Sequence, residues 1–410
     1  MTAMQPSSWI TRLRAFTSTP QGARISMWAA YFVFWAGSAA LMPYISVYYE
    51  SIGIRGTQIG QLNSIPYFVS LISSITFGFL SDVFRRHKLI LAACTLGLIV
   101  TLMLFPLAGN FVALLPIVFA YSILMAPCNP IMDQTALASL ENPAYYGKVR
   151  VGGSIGWGIM VLVTGFLIDQ LNLGLPVIFY VNIVFYAVFI PLIAILPKPH
   201  RETSAPHEKA TIAKIITLFK QPGFITFLLV TIIWVIGESS IGGFLFLHIK
   251  HLGGSSTLMG TALSVSLIGE ILTFSAADKI QARIRPRKMV LLAFVVMFAW
   301  LTMLSLVRNP NAIPFFQVFG GAGFALLQSG SVAYVNKHAP AEIGTTAQAI
   351  RSGLVSGLGI GTGLIISGWI YERAGSVTLF RSMSFVVLAG FFIGVLAFYR
   401  DSKQKNKLAP

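Results

Sequence analysis

The chain has 410 residues, of which 55% are hydrophobic and only 10% charged, with a formal net charge of +16. A soluble domain carries roughly 25% charged residues, so this chain cannot cover itself with a polar surface. Its mean hydropathy of +0.76 makes lipid the solvent for most of it. The positive charge does not point to nucleic acid, because the basic residues fall in short segments between apolar runs.

In chain order, residues 1–25 lack the long apolar core and small-residue cleavage site of a signal peptide. Trp9, Ile10, Leu13 and Phe16 with Arg12 and Arg14 suit either a short helix on the membrane surface or a plain tail. A membrane-spanning helix needs about 20 apolar residues. Windows of that kind fall near 26–49, 57–80, 88–107, 111–138, 148–170 and 176–197, then 222–247, 257–278, 288–307, 312–336, 345–372 and 378–399. The predicted fold class is an all-α membrane protein of twelve spans in two halves, 26–197 and 222–400. These are joined by a polar linker, 198–221, and flanked by the segments 1–25 and 401–410. Cys94 and Cys128 lie inside apolar windows, so neither a disulfide framework nor a metal cluster is indicated.

An even number of spans puts both termini on one side. Of the 29 Lys and Arg residues, only Arg55, Lys250, Arg308, Arg373 and Arg381 fall on the opposite side, and Arg351 falls within a span. The positive-inside rule then predicts cytoplasmic termini in the inner cell membrane. The charge is a topology signal.

The halves repeat. GFLSDVFRRHKLIL (78–91) matches AADKIQARIRPRKMVLL (276–292), placing Asp82 opposite Asp278, and R-V-G-G-S-I-G from Arg150 matches R-S-G-L-V-S-G from Arg351. Two six-helix halves in parallel repeat are the architecture of major facilitator transporters, with the solute site between them. Gly152 and Gly156, like Gly353, Gly357 and Gly361, are spaced for close helix packing in lipid. The stretch 78–88 resembles the signature loop of the major facilitator superfamily, with Gly78, Leu80, Asp82 and Arg86 matching and Arg85 standing where the family has a second glycine. The resemblance implies a cytoplasmic gate at Gly78, Asp82, Arg86 and Asp278.

A charge inside an apolar span costs about 2.5–3.5 kcal/mol on insertion scales and needs a partner or a task. Asp133, Glu238, Glu270 and Arg351 are of this kind, with Arg150 at a span edge. Arg351 has Glu270 nearer in depth than Glu238, and could instead snorkel to water. Arg150 precedes Trp157 by two helical turns, so both face one side. A carboxylate, a guanidinium and an indole converging on a cavity suit a polar solute with one apolar face, such as a sugar, nucleoside or aromatic acid.

The segments P-I-M-D133, Y-G-K-V-R150-x-x-G-S-x-G-W157 and I-G-E270-I-L resemble the oligosaccharide–proton symporters and phenylpropionate porters, the group of lactose permease. The resemblance implies that Asp133 and Arg150 pair at the substrate site, that Trp157 stacks on the solute, and that Glu270 links the site to proton coupling. Asn129 joins the substrate-binding candidates. The group's coupling Arg in the ninth span and His and Glu in the tenth have no counterpart in FVVMFAWLTML and FGGAGFALLQSGSVAYVN. Either Glu270 or Glu238 carries the proton, or coupling is absent. The expected function is therefore proton-coupled symport of a small polar solute by a monomer, with protons as coupling ion and no cofactor or nucleic acid partner. An uncoupled facilitator or a proton-antiport exporter is the alternative, and a non-transporting receptor a remote one. No metal-ligand cluster, nucleophile elbow or phosphate loop appears, so an enzyme is not expected.

Overall fold

Hydrocarbon offers a peptide group no hydrogen-bond partner, so a chain this apolar must satisfy its backbone within its own helices. The computed structural model does so. It describes residues 16–84, 87–142, 145–197, 219, 223–339 and 344–408, with their side chains except at 72–84, 345 and 401–408, and among them there is no strand. The segment 1–15, all of the linker 198–221 but residue 219, and the side chains of Gly78, Asp82 and Arg86 in the expected gate lie outside the described residues.

Ten stretches are long and apolar enough to cross a membrane. One of them, 346–400, holds two helices divided at Gly375, where a φ of 76° breaks the run. The 29-residue helix Gly56–Phe84 is of crossing length as well. The described residues thus form twelve spanning helices. The first six are α1 (Pro20–Ser51), α2 (Gly56–Phe84), α3 (His87–Leu107), α4 (Phe111–Ser139), α5 (Tyr146–Gln170) and α6 (Val177–Ile195). The second six are α7 (Phe224–His251), α8 (Ser256–Arg283), α9 (Pro286–Leu306), α10 (Pro310–His338), α11 (344–374) and α12 (376–408).

Helices bend where the sequence withholds a donor or a side chain. α1 turns at Met42–Tyr44 around Pro43, and α4 turns at Ala126 and Pro127 before resuming at Cys128. α11 carries a π-helical segment, Val355–Ile360, that the hydropathy pattern does not announce.

Small residues set the closest approaches. A Cβ on Gly152 would lie 2.6 Å from the Trp28 carbonyl oxygen, and one on Gly156 would lie 2.4 Å from that of Phe32, so α5 packs backbone to backbone on α1. Between the halves, Gly357 and Gly361 instead make room for the side chains of Leu71 and Phe68 of α2. The halves meet through α5 against α8 and α2 against α11.

Both described ends of the chain lie on one face of the bundle, called here the termini face. The cross-half hydrogen bonds among the described residues lie towards the other, far face. There Glu50 of α1 receives Lys250 Nζ at 2.7 Å and Tyr371 Oη at 2.5 Å, with His251 Nε2 at 3.1 Å. His248, one turn deeper, is fully buried, with Nδ1 2.8 Å from Ser376 Oγ and Nε2 3.1 Å from the Leu304 carbonyl oxygen.

Gly156→Val would drive methyl groups into the Phe32 peptide, which as backbone cannot yield. The expected cost is about 1–3 kcal/mol, read as a lower thermal midpoint in detergent. Gly109→Ala, where nothing lies within 4 Å of the new methyl, leaves the midpoint unchanged.

Candidate functional site

Between the halves lies a cavity of about 730 Å³. Its walls come from α1, α2, α3, α4 and α5 of the first half and α7, α8 and α11 of the second. Trp35 and Trp157 meet edge to face at 5.8 Å between ring centroids and both line it. Asn63, Tyr67, Asn129 and Glu238 contribute its main polar groups. Volume and lining match a site for a small organic solute: mostly apolar, with a few placed hydrogen-bonding groups.

Glu238 is the one formally charged residue among those lining the cavity. It sits midway along the 28-residue α7, about 20 Å from either end. No hydrogen bond or ion pair joins it to a described residue. Asn129 also faces the cavity, and its buried Oδ1 accepts no hydrogen bond among the described residues. Two polar groups deep in the bundle thus lack a hydrogen-bond partner among the described residues, an arrangement that is costly for a buried group. The Asn63 amide, in contrast, is anchored by donating to Ser46 Oγ at 2.8 Å.

Asp133 and Arg150 lie together but outside the cavity lining. Arg150 Nη1 is 3.7 Å from Asp133 Oδ1, and the Tyr31 hydroxyl donates to the same oxygen at 2.5 Å. The guanidinium also stands 5.7 Å over the Tyr31 ring. Trp157 lies on the same helix face as Arg150 but about 10 Å further along it, so the charge pair sits nearer the termini face and the indole reaches the cavity. The side chains of the pair are 35% and 44% exposed.

Glu270 occupies the matching midpoint of α8, is half-buried with its backbone N beside Gly321 of α10, and does not line the cavity. Arg351 meets neither glutamate. Its guanidinium donates to Gln348 Oε1 at 3.2 Å and Gln328 Oε1 at 3.4 Å, and the residue is only 6% exposed. Amide oxygens from its own helix and from α10 take the place of a carboxylate. Asp278 is exposed near the termini end of α8. Sequence reasoning passed over Tyr31, Trp35, Asn63 and Tyr67. Trp35 stands in an aromatic run, YFVFW, that reads as lipid-facing or core, and Tyr31 reaches Asp133 across 102 residues.

Two six-helix halves around a solute-sized cavity define a multi-pass membrane transporter. Residues 24–382 match the model of the MFS_1 like family, and the chain belongs to that family of the major facilitator superfamily. A maltose permease of Geobacillus stearothermophilus is 27% identical over 87% of this chain and 90% of its own length. A multidrug resistance protein, MdtG, of Enterobacter lignolyticus is also 27% identical, over 73% of this chain and 74% of its own. Among solved structures, a point mutant of the nucleoside transporter NupG superposes with a TM-score of 0.83 at 15% identity, covering 92% of this chain and all of that one. An inward-facing bacterial homologue of the lysosomal transporter Spinster gives 0.71 at 14% identity, over 97% and 99%.

Tyr31→Phe removes the short hydrogen bond to Asp133 and is expected to cost about 1–2 kcal/mol. Asp133→Asn should cost less in that background than alone, because the two side chains share one interaction. Thermal unfolding of the four chains of the cycle measures the coupling.

Proposed function

We propose that the protein is a proton-coupled symporter of a small neutral polyol, a sugar or nucleoside, working by alternating access in the inner membrane with cytoplasmic termini. The observation that carries this reading is the carboxylate of Glu238, without a hydrogen-bond or ion-pair partner among the described residues, on the wall of a cavity that also presents two indoles and two carboxamides. A lone intramembrane carboxylate is a protonation site in the making. Its charge also disfavours an anionic solute, which counts against aromatic acids. Indole faces suit the apolar side of a sugar or nucleoside ring, and Asn129, Asn63 and Tyr67 suit its hydroxyls. Asp133 and Arg150, with Tyr31, would meet the solute at the termini end, and Trp157 with Trp35 would hold it in the cavity. Glu270, also without a partner among the described residues, is the second candidate for the proton. The maltose permease relative agrees with a neutral sugar.

The orientation rests on the basic residues of the termini side. With the halves joined at the far face, the state described here is then the inward-facing one, and alternating access requires those contacts to open. One observation favours export instead: the cavity has an anionic wall and no cation among the described residues that line it, and the MdtG relative is a multidrug resistance protein, so a cationic solute exchanging for a proton on Glu238 is the second reading.

In proteoliposomes with an imposed pH gradient, a panel of disaccharides, nucleosides and lipophilic cations separates these readings. A neutral sugar or nucleoside should accumulate with the proton gradient, and its addition should alkalinise the medium. Glu238→Gln should abolish uphill accumulation while leaving equilibrium exchange intact. Accumulation unchanged in Glu238→Gln and Glu270→Gln alike would overturn proton coupling, and uptake of cations against the proton gradient would establish the export reading.

A further inference from the structure

The far-face contacts are duplicated by the repeat. Gly53, Thr57 and Gly60 at the start of α2 recur as Gly253, Thr257 and Gly260 at the start of α8. Thr164, Gly165 and Asp169 at the end of α5 recur as Ser367, Gly368 and Glu372 at the end of α11. Each of these ends meets the other half's start. Asp169 Oδ2 accepts the Thr257 N–H at 2.6 Å, and Glu372 Oε2 accepts the Thr57 N–H at 2.8 Å. The glycines beside them let the backbones touch: a Cβ on Gly165 would lie 2.3 Å from Ser256 O, and one on Gly368 would lie 2.4 Å from Gly56 O. Likewise a Cβ on Gly260 would lie 2.6 Å from Val161 O, and one on Gly60 would lie 2.4 Å from Leu364 O.

Each carboxylate thus takes a first-turn N–H that its helix cannot satisfy internally, at the positive end of the helix dipole. α8 has its own cap as well, since Ser255 Oγ accepts the Leu258 N–H at 3.2 Å. The cross-half bond is therefore additional to what the helix needs to start. Asp169 is half-buried and Glu372 exposed, so water can take over both partners when the bond breaks. A bond strong enough to hold and replaceable by water at little cost suits a contact made and broken in every cycle.

We propose that Asp169 and Glu372 are a duplicated latch that holds the far face shut, and that opening the cavity to that face requires both to release the helix they cap in the other half. They are positioning residues for transport and touch no solute. The third far-face contact follows different logic. The repeat sets position 50 against its own counterpart, position 250, where like residues would repel or leave a gap. The chain places Glu50 against Lys250 there, with His251 and Tyr371 closing the cluster. That pair is unique to the repeat's axis; the two carboxylate caps come as copies.

The test needs neither a substrate nor a known orientation. Spin labels at Leu173→Cys and Arg308→Cys report the distance between halves at the far face, and labels at Glu141→Cys and Lys337→Cys report it at the termini face; all four positions are exposed. The two native cysteines are buried, and the parent chain supplies the background. In D169A/E372A the ratio of far-face-open to far-face-closed molecules should rise roughly tenfold, from two weakened charge-assisted bonds. The termini-face distance should shorten in step. The carboxylate exchange D169E/E372D should stay near the parent. Unchanged distances would overturn the latch, as would far-face loosening with no closing of the termini face. If the double variant is not recovered in membranes, the single variants carry the same test at roughly threefold each, and their equality with the parent would overturn the proposal in the same way.

Discussion

Two backbone-to-backbone seams, α5 on α8 and α2 on α11, hold the halves together, and the rest of the architecture depends on them. Helices in lipid gain nothing from excluding water from one another and must rely on close packing and hydrogen bonds. Glycines at the seams bring main chain against main chain, and the Tyr44 hydroxyl, 2.8 Å from Val161 O and 3.2 Å from Ser256 O, ties α1 to both sides of one seam. Because the seams run along the far side of the bundle, they close one end of the space between the halves. The cavity exists because these helices touch there and diverge beyond.

Charges are distributed around that space according to what can be satisfied. Arg351 is the most buried of them and is held by two glutamine oxygens, so it behaves as a structural group. Asp133 and Arg150 are nearer the termini face, partly exposed, and share Tyr31. Glu238 alone faces the cavity, with no partner among the described residues. In a low-dielectric setting a satisfied network rigidifies, and an unsatisfied group remains open to an exogenous partner. The geometry thereby divides five similar-looking charges into anchored and available ones.

The repeat explains both the economy and the asymmetry of the fold. Wherever equivalent helices meet non-equivalent ones, as at α2–α11 and α5–α8, one motif serves twice. Wherever a residue meets its own counterpart, as Glu50 meets Lys250, the copies must differ because like charges cannot pair. The cavity between the halves shows the same divergence: indoles and carboxamides from the first half, a carboxylate from the second.

Hydropathy determined twelve spans from the sequence alone, and the helices lie close to the windows read there, because crossing hydrocarbon imposes length and composition locally. The proximity of Asp133 and Arg150 was legible from their resemblance to a family pattern, whereas the turn of α4 at Ala126 and Pro127 came from the structure. The partner of Arg351 was not legible, since depth along a helix says nothing about which of several neighbours turns towards it. Sequence resemblance favoured Glu270 over Glu238, yet both sit midway along an apolar helix, and only the packing of α7 and α8 puts Glu238 on the cavity and leaves Glu270 off it. Tyr31, Trp35 and Asn63 were invisible for a related reason. An aromatic or amide in an apolar run carries no local mark of function, and what it faces is decided by helices far away in the chain.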